Sequence, residues 1–183
     1  MKLYKCCCSL EQIPKDNAFR FVLSPDNRVC LDLNFDLRGR DFIVSREESL
    51  IPIWNNQAFF EEKFGVKVDI ESIRQHILKE FYHRILTFIA LAKKSGKVQL
   101  GKMQVEGALR NANDNCAIIQ ALDASQRERF KASSRYSLLE IFTSDELSSF
   151  LGKEKLYYIF LEGNFVPIIL NLAETYKILK EYK

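Results

Sequence analysis

The hydrophobic pattern changes period once along the chain, and that change limits the possible folds more than any single motif. In "AFRFVLS", Phe19, Phe21 and Leu23 fall on one side, with Arg20 and Val22 on the other. This is the two-residue period of a strand. "PDN" follows as a turn, with Pro25 and Asn27 supplying its chemistry. "RVCLDLN" alternates again through Val29, Leu31 and Leu33, and after "DLRGRD" the apolar "FIV" reads as a third strand. Three short strands in succession predict an antiparallel meander. Gly39, between the second and third, supplies a backbone angle that residues with side chains rarely adopt. Ser45 and Glu48 have the spacing of a capping box for a helix beginning "REESL".

From about residue 69 the period lengthens. Ile70, Ile73, Ile77, Leu78, Phe81, Ile85, Phe88, Ile89 and Ala92 recur at helical spacing, predicting a helix that ends near Gly96. Helices and buried strands then alternate. "MQVEGALRNA" reads as a helix, "CAIIQAL" as a buried strand, "ASQRERFKAS" as helix or loop, and "SLLEIF" as a strand. "TSDELSSFLG" is a short helix with Thr143 and Glu146 as its capping box, and "KLYYIFL" is a strand. A terminal helix runs from about Asn164 to Tyr182, with Pro167 in its first turn, where a missing N–H does little harm. The expected architecture is two domains. Residues 1–72 form an α+β domain, a short antiparallel sheet with helices. Residues 73–183 form an α/β/α three-layer sandwich.

Composition excludes several classes. Of the 183 residues 47% are hydrophobic, including 14 phenylalanines, so the chain can bury a core and is not a disordered segment. The longest apolar runs, "ILTFIALA" and "FVPIILNLA", fall short of the roughly 20 residues a membrane-spanning helix needs. "MKLYKCCCSL" lacks the length and cleavage pattern of a secretory signal, so a cytoplasmic protein without a membrane partner is expected. The 5 cysteines agree: three are adjacent, and the others stand alone at Cys30 and Cys116, which suits reduced thiols. The net charge of +3 is small, but it is unevenly placed. Lys79, Arg84, Lys93, Lys94, Lys97, Lys102 and Arg110 face only Glu80 and Glu106. This stripe is either a solvated helix face or a surface for a polyanion.

Catalytic chemistry is sparse. His76 and His83 lie seven apart on the long helix, hence about 10 Å apart, and cannot share a metal there. Cys6 and Cys8 would share a face of an opening strand, but no second pair completes a four-ligand zinc site; small buried side chains are the plainer reading. No GxxxxGK[ST] or GxGxxG phosphate loop occurs. Tyr157, Tyr158 and Phe160 fall in a strand that reads as core rather than as a base-stacking surface. The expectation is a non-enzyme with no cofactor and no metal. Arg38-Gly39-Arg40 stays open on residues alone, as either a phosphate grip or a polar turn between strands.

Two resemblances bear on that choice. Lys5-Cys6, Glu11, Pro14-Lys15-Asp16, Arg20-Phe21-Val22, Pro25-Asp26, Asp32-Leu33 and Arg38-Gly39-Arg40-Asp41 resemble, in order and spacing, the bacterial YlxR family. The later "NQAFFEEKF" fits as well. Arg38 stands where that family has proline and Asp41 where it has a second glycine. The second part is similar to the ribosomal superfamily that includes kink-turn-binding proteins. The resemblance lies in Leu91-Ala92, Lys93-Lys94, Gly96-Lys97, Gly101, Ala108-Leu109, Glu146-Leu147 and Leu151-Gly152-Lys153. Where kink-turn readers carry Asn-Glu and then a lysine, this chain has Met103, Gln104 and Gly107, of which only Gln104 still hydrogen-bonds.

The resemblances imply a non-catalytic RNA-binding protein that meets structured RNA through basic surfaces on both domains, in a ribosomal, transcriptional or RNA-processing setting. The first surface would be Lys5, Arg20, Arg38, Gly39, Arg40 and Lys63. The second would be Lys93, Lys94, Lys97, Lys102 and Gln104, with the helix start at Gly101 as an anion site. The alternatives are a protein-interaction adaptor with a degenerate RNA site, motivated by Met103, Gly107 and Asp41, and a DNA-binding nucleoid or transcription factor.

Overall fold

A computed structural model describes residues 2–112 and 115–181. The chain opens with a hairpin of β1 (Leu3–Lys5) and β2 (Gln12–Pro14). Strands β3 (Ala18–Leu23), β4 (Val29–Leu31) and β5 (Arg40–Ser45) follow, then helices α1 (Ile51–Trp54), α2 (Gln57–Phe64) and α3 (Ile70–Lys94). Next come β6 (Val98–Leu100), α4 (Lys102–Arg110), β7 (Cys116–Gln120), β8 (Ser137–Leu139), α5 (Ser144–Leu151), β9 (Tyr158–Glu162) and α6 (Phe165–Glu181). Helices are thus mixed with two small antiparallel sheets and one four-stranded mixed sheet. Tyr182, the expected last residue of the terminal helix, lies outside the described residues. The chain divides into two compact units. One runs to Glu80 and takes in the stretch from Ile178; the other is Phe81–Lys177. The expected seam at 72/73 falls inside α3, and the units part eight residues later in the same helix.

In the first unit the three strands form, but not as a meander. Their order is β4-β3-β5, so β3 is central and pairs antiparallel with both neighbours, Phe21 meeting Leu31 on one side and Phe42 on the other. The cause is the segment after β4. The Asp32 N–H still donates to the Arg20 carbonyl (2.8 Å), and then the Asp32 carboxylate turns the chain by accepting from the N–H groups of Asp36 (3.1 Å) and Leu37 (2.9 Å). The chain is thereby returned to the far edge of β3. Both faces of β3 are covered: Phe19 and Phe21 are buried, and so is Val22 on the side where Arg20 also lies.

The core of this unit is aromatic. Phe21 packs edge-on against Phe60, with ring centroids 5.0 Å apart, and Phe42 lies against Phe64 at 4.8 Å with the planes tilted by 41°. Each such ring withdrawn from water stabilises the unit by roughly 2 kcal/mol or more. Helix α2 delivers Phe60 and Phe64. Asn56 caps its start by accepting the Phe59 N–H (2.8 Å), and Gly65 ends it in a left-handed conformation with φ of 69°. The helix expected directly after Ser45 does not start there. Ser45 is the last residue of β5, its hydroxyl accepts the Glu47 N–H (3.1 Å), and a single 3-10 turn at Glu48–Leu50 intervenes before α1.

The three adjacent cysteines lie in the turn after β1, not in a strand. The Cys6 sulfur is buried and accepts the N–H groups of Ser45 (3.2 Å) and Ser9 (3.4 Å), while the Cys7 N–H donates to the Ile43 carbonyl (2.8 Å). These bonds fasten the hairpin to β5. Burial raises a thiol's pKa, but donors from Ser9, Cys8 and Ser45 outweigh it, and Cys6 sits below the ordinary thiol value. Burial, with the neighbouring thiols of Cys7 and Cys6, pushes Cys8 up to about 12.

In the second unit the sheet order is β6-β9-β7-β8. β7 runs parallel to β8 and antiparallel to β9, and all five of its residues are buried. The Thr143–Glu146 capping box forms as its spacing predicts, and α5 ends at Gly152 in the left-handed conformation. No helix among the described residues is long and apolar enough to cross a membrane.

Candidate nucleic-acid interface

The residues between β4 and β5 are organised by one buried carboxylate. Asp32 is 4% exposed and accepts two backbone N–H bonds and the Arg20 guanidinium, at 2.6 Å from NH1. Burial alone would raise the pKa of Asp32. The N–H groups of Leu37 and Asp36, with Arg20, outweigh it and hold the carboxyl below its ordinary range. Arg20 also donates from Nε to Asp41 (2.6 Å) and from NH1 to the Leu37 carbonyl (2.9 Å).

Arg20, expected as part of the first basic surface, is turned to internal partners. Its side chain is only 14% exposed and is committed to two carboxylates and a carbonyl. What it does instead is clasp the loop to the sheet and compensate Asp41. The acid that stands beside the two arginines thus already has a cationic partner.

Gly39 closes this loop at a φ of 148°. A β-carbon there would meet the Leu23 carbonyl oxygen at 2.7 Å and a Val22 methyl at 2.8 Å, so no residue with a side chain fits unchanged. Arg38 is exposed, and its side chain makes no hydrogen bond or ion pair among the described residues. Arg40, first in β5, is also exposed but partly tethered. One NH2 donates to the Lys63 carbonyl at the end of α2 (2.6 Å), and the guanidinium lies 5.8 Å from the Phe64 ring centre. A cation at a helix C-terminus is favourable, and the remaining guanidinium N–H groups stay available. Lys63 is half-buried, 3.1 Å from Glu62, with its ammonium 5.4 Å from the Phe59 ring centre. Lys5 ends β1 on the surface without a side-chain partner among the described residues. The structure thus joins Arg40 to Lys63, and gives no contact of either with Lys5.

The second unit distributes its cations differently. Lys97 pairs with Glu162 (3.1 Å) and Lys102 approaches Glu128 (3.8 Å), all partly exposed. Lys93 donates to the Leu151 carbonyl at the end of α5 (2.9 Å), and Lys94 is exposed without a partner among the described residues. Gly101 precedes α4 at a φ of 96°, its N–H donates to the Tyr158 carbonyl (2.9 Å), and no side chain caps the helix. Gln104 is exposed and its amide oxygen lies beside Gly101, 3.0 Å from where a β-carbon would stand. Met103 is 81% exposed, an apolar side chain in water at the helix start. Tyr158 and Phe160 are buried, in keeping with a core strand. Among the described residues no group of three or more His, Cys, Asp or Glu could hold a metal ion.

Sequence reasoning did not single out three residues of this region as functional. Asp32 carried a signal: an acid between Leu31 and Leu33 in an alternating strand needs a cationic or N–H partner. Phe35, a half-buried aromatic at a φ of 64°, and Tyr4, whose ring centre lies 4.6 Å from it, gave none.

No family model matches the chain, and no curated protein matches it. Among solved structures, one of a protein with unknown function from Bacillus halodurans C is similar at 20% identity and a TM-score of 0.44, over 49% of this chain and 96% of that one. Another is of a cytosolic protein of unknown function, coded by a gene from the NUSA/INFB region and described as a YlxR homologue. It is similar at 19% identity and a TM-score of 0.39, over 50% of this chain and 97% of that one.

Proposed function

We propose that this protein binds structured RNA without catalysing a reaction, through a phosphate grip on its first unit and a weaker basic surface on its second. One observation carries the reading: Arg20 takes up the charge of Asp41, and Gly39 fixes the turn, so that Arg38 and Arg40 stand exposed with no ion-paired acid among the described residues. Guanidinium groups bind phosphate in a bidentate manner, and such contacts position a nucleic acid without reading its sequence. Lys63, whose own carbonyl tethers Arg40, places a further cation beside it, with Glu62 3.1 Å from its ammonium. In the second unit Lys94 and the uncapped start of α4 are the parts best placed to meet an anion. The resemblance of the motifs to YlxR and to the ribosomal superfamily supports a role near ribosomes, transcription or RNA processing. It also supports the three-layer arrangement for the second unit.

A titration of the full chain against a hairpin RNA tests this. For about four phosphate contacts, affinity falls about a hundred-fold as salt rises from about 50 to 200 mM. Binding that ignores salt would overturn the reading, and stronger competition by duplex DNA would replace it with the DNA-binding one.

The exposed Met103, the bare Gly107 and the acid-paired lysines favour a second reading for the second unit, as a surface that docks a protein. Partners that stay bound to the chain in a cell extract after nuclease treatment would support it.

A further inference from the structure

We propose that Tyr4 and Phe35 form a platform on which an unpaired base of the bound RNA stacks, so that the first unit prefers looped or single-stranded segments to continuous duplex. The inference rests on the RNA-binding reading above and adds to it the kind of nucleotide the first unit takes.

Phe35 sits in the left-handed backbone region, at a φ of 64°. That conformation is costly for a bulky residue and persists only where its surroundings impose it. Here the Asp32 carbonyl accepts the Phe35 N–H (3.4 Å), and the Asp32 carboxylate holds the next two N–H groups. The loop therefore holds the ring in an unfavourable backbone state. One part of Phe35 rests on the buried cluster of Cys6, Ile13 and Ala18, which anchors it. Tyr4 lies against it at 4.6 Å with the planes tilted by 52°. Both rings are half-buried, and the Tyr4 hydroxyl has no hydrogen-bond partner among the described residues.

Cations surround the pair. The Lys2 ammonium is 5.2 Å from the Tyr4 ring centre, and Lys15 and Arg20 are 5.3 and 5.9 Å from that of Phe35. Arg20 is committed to its carboxylates, and Lys15 donates to the Asn34 carbonyl (2.6 Å). Lys2 is exposed and makes no side-chain hydrogen bond or ion pair among the described residues. A cation–π contact at an exposed site is weak, so a base displaces the Lys2 ammonium from the ring and leaves it free for a phosphate. Arg38 follows three residues after Phe35 on the same loop, which puts stacking and phosphate contacts on one element. A paired base has both faces covered by its neighbours, whereas an unpaired one offers a face to an aromatic side chain.

The test compares two end-labelled RNAs of equal phosphate count, a hairpin with an unpaired loop and a blunt duplex, by fluorescence anisotropy with the full chain. The native protein is expected to favour the hairpin. Tyr4→Leu, which keeps apolar packing, should lose roughly ten-fold in hairpin affinity, the order of one base–aromatic stack, with the duplex affinity and salt slope unchanged. Tyr4→Trp should restore the preference. If Tyr4→Leu binds both RNAs as the native chain does, the platform is overturned while salt-dependent binding keeps the RNA reading. If neither RNA binds in a salt-dependent way, that reading fails and the platform with it. Should Tyr4→Leu fold poorly, 5-iodouridine in the loop, photocrosslinked to the native chain, decides. A crosslinked peptide carrying Tyr4 or Phe35 supports the platform, and crosslinks confined to other peptides overturn it.

Discussion

The acids beside the two candidate basic surfaces are held in opposite ways. In the first, a nearly buried arginine binds Asp32 and Asp41, and the exposed arginines nearby are left without an acid. In the second, Lys97 and Lys102 meet Glu162 and Glu128 at the surface, where their own charge is offset. By sequence the first stretch looks neutral and the second basic. In space Arg38 and Arg40 of the first have no ion-paired acid among the described residues, whereas Lys97 and Lys102 of the second each have one. A charge count along the chain thus misjudges a surface whenever internal pairs consume one sign.

Five substitutions and one titration sharpen this contrast. The largest effect is expected of Asp32→Ala, which strips two backbone N–H groups and a half-buried guanidinium of their acceptor at once. It should cost about 3 kcal/mol in thermal or urea unfolding. Gly39→Ala comes next, at about 2 kcal/mol, since its β-carbon would collide with the Leu23 carbonyl and Val22. RNA affinity should drop with it. Asp32 also sets a pH dependence. Its folded pKa is depressed, so its stabilisation is complete above the unfolded value of about 3.9 and is lost as pH falls through the folded value. Acid unfolding curves should show this slope, and Asp32→Asn should flatten it. Arg38→Ala should leave stability within about 0.5 kcal/mol, as a surface change does, while lowering the salt slope of RNA binding by about one. The smallest change is expected of Glu162→Gln, where loss of an exposed pair alters stability by less than about 1 kcal/mol. If the contrast holds, freeing Lys97 raises RNA affinity through the second unit. An unchanged affinity would favour the protein-docking reading there.

What was legible in the sequence was local. The strand of Phe19 and Phe21, the helix from Ile70 to Lys94 and the Thr143–Glu146 cap each depend on neighbours within a few residues, and each formed. The position of Gly39 and the exposure of Arg38 and Arg40 were legible too, because a turn between strands dictates them. The strand order was not, since the return of the chain to the far edge of β3 goes with the hold of the Asp32 carboxylate on the Asp36 and Leu37 N–H groups, which no periodicity marks. Nor could alternation, which sets Arg20 opposite Phe19 and Phe21, name the two carboxylates that it binds. Nor does any periodicity mark a phenylalanine held in a left-handed backbone, its N–H on the Asp32 carbonyl and the next two N–H groups on the Asp32 carboxylate.

The Cys6 sulfur, enclosed beneath the Ser45 and Ser9 amides, gives the first unit a built-in clock. A thiol reagent can reach it only when the hairpin lifts from β5, so its labelling rate counts those brief detachments. A bound polyanion that steadies the hairpin would slow the clock, which makes occupancy readable without a label on the nucleic acid.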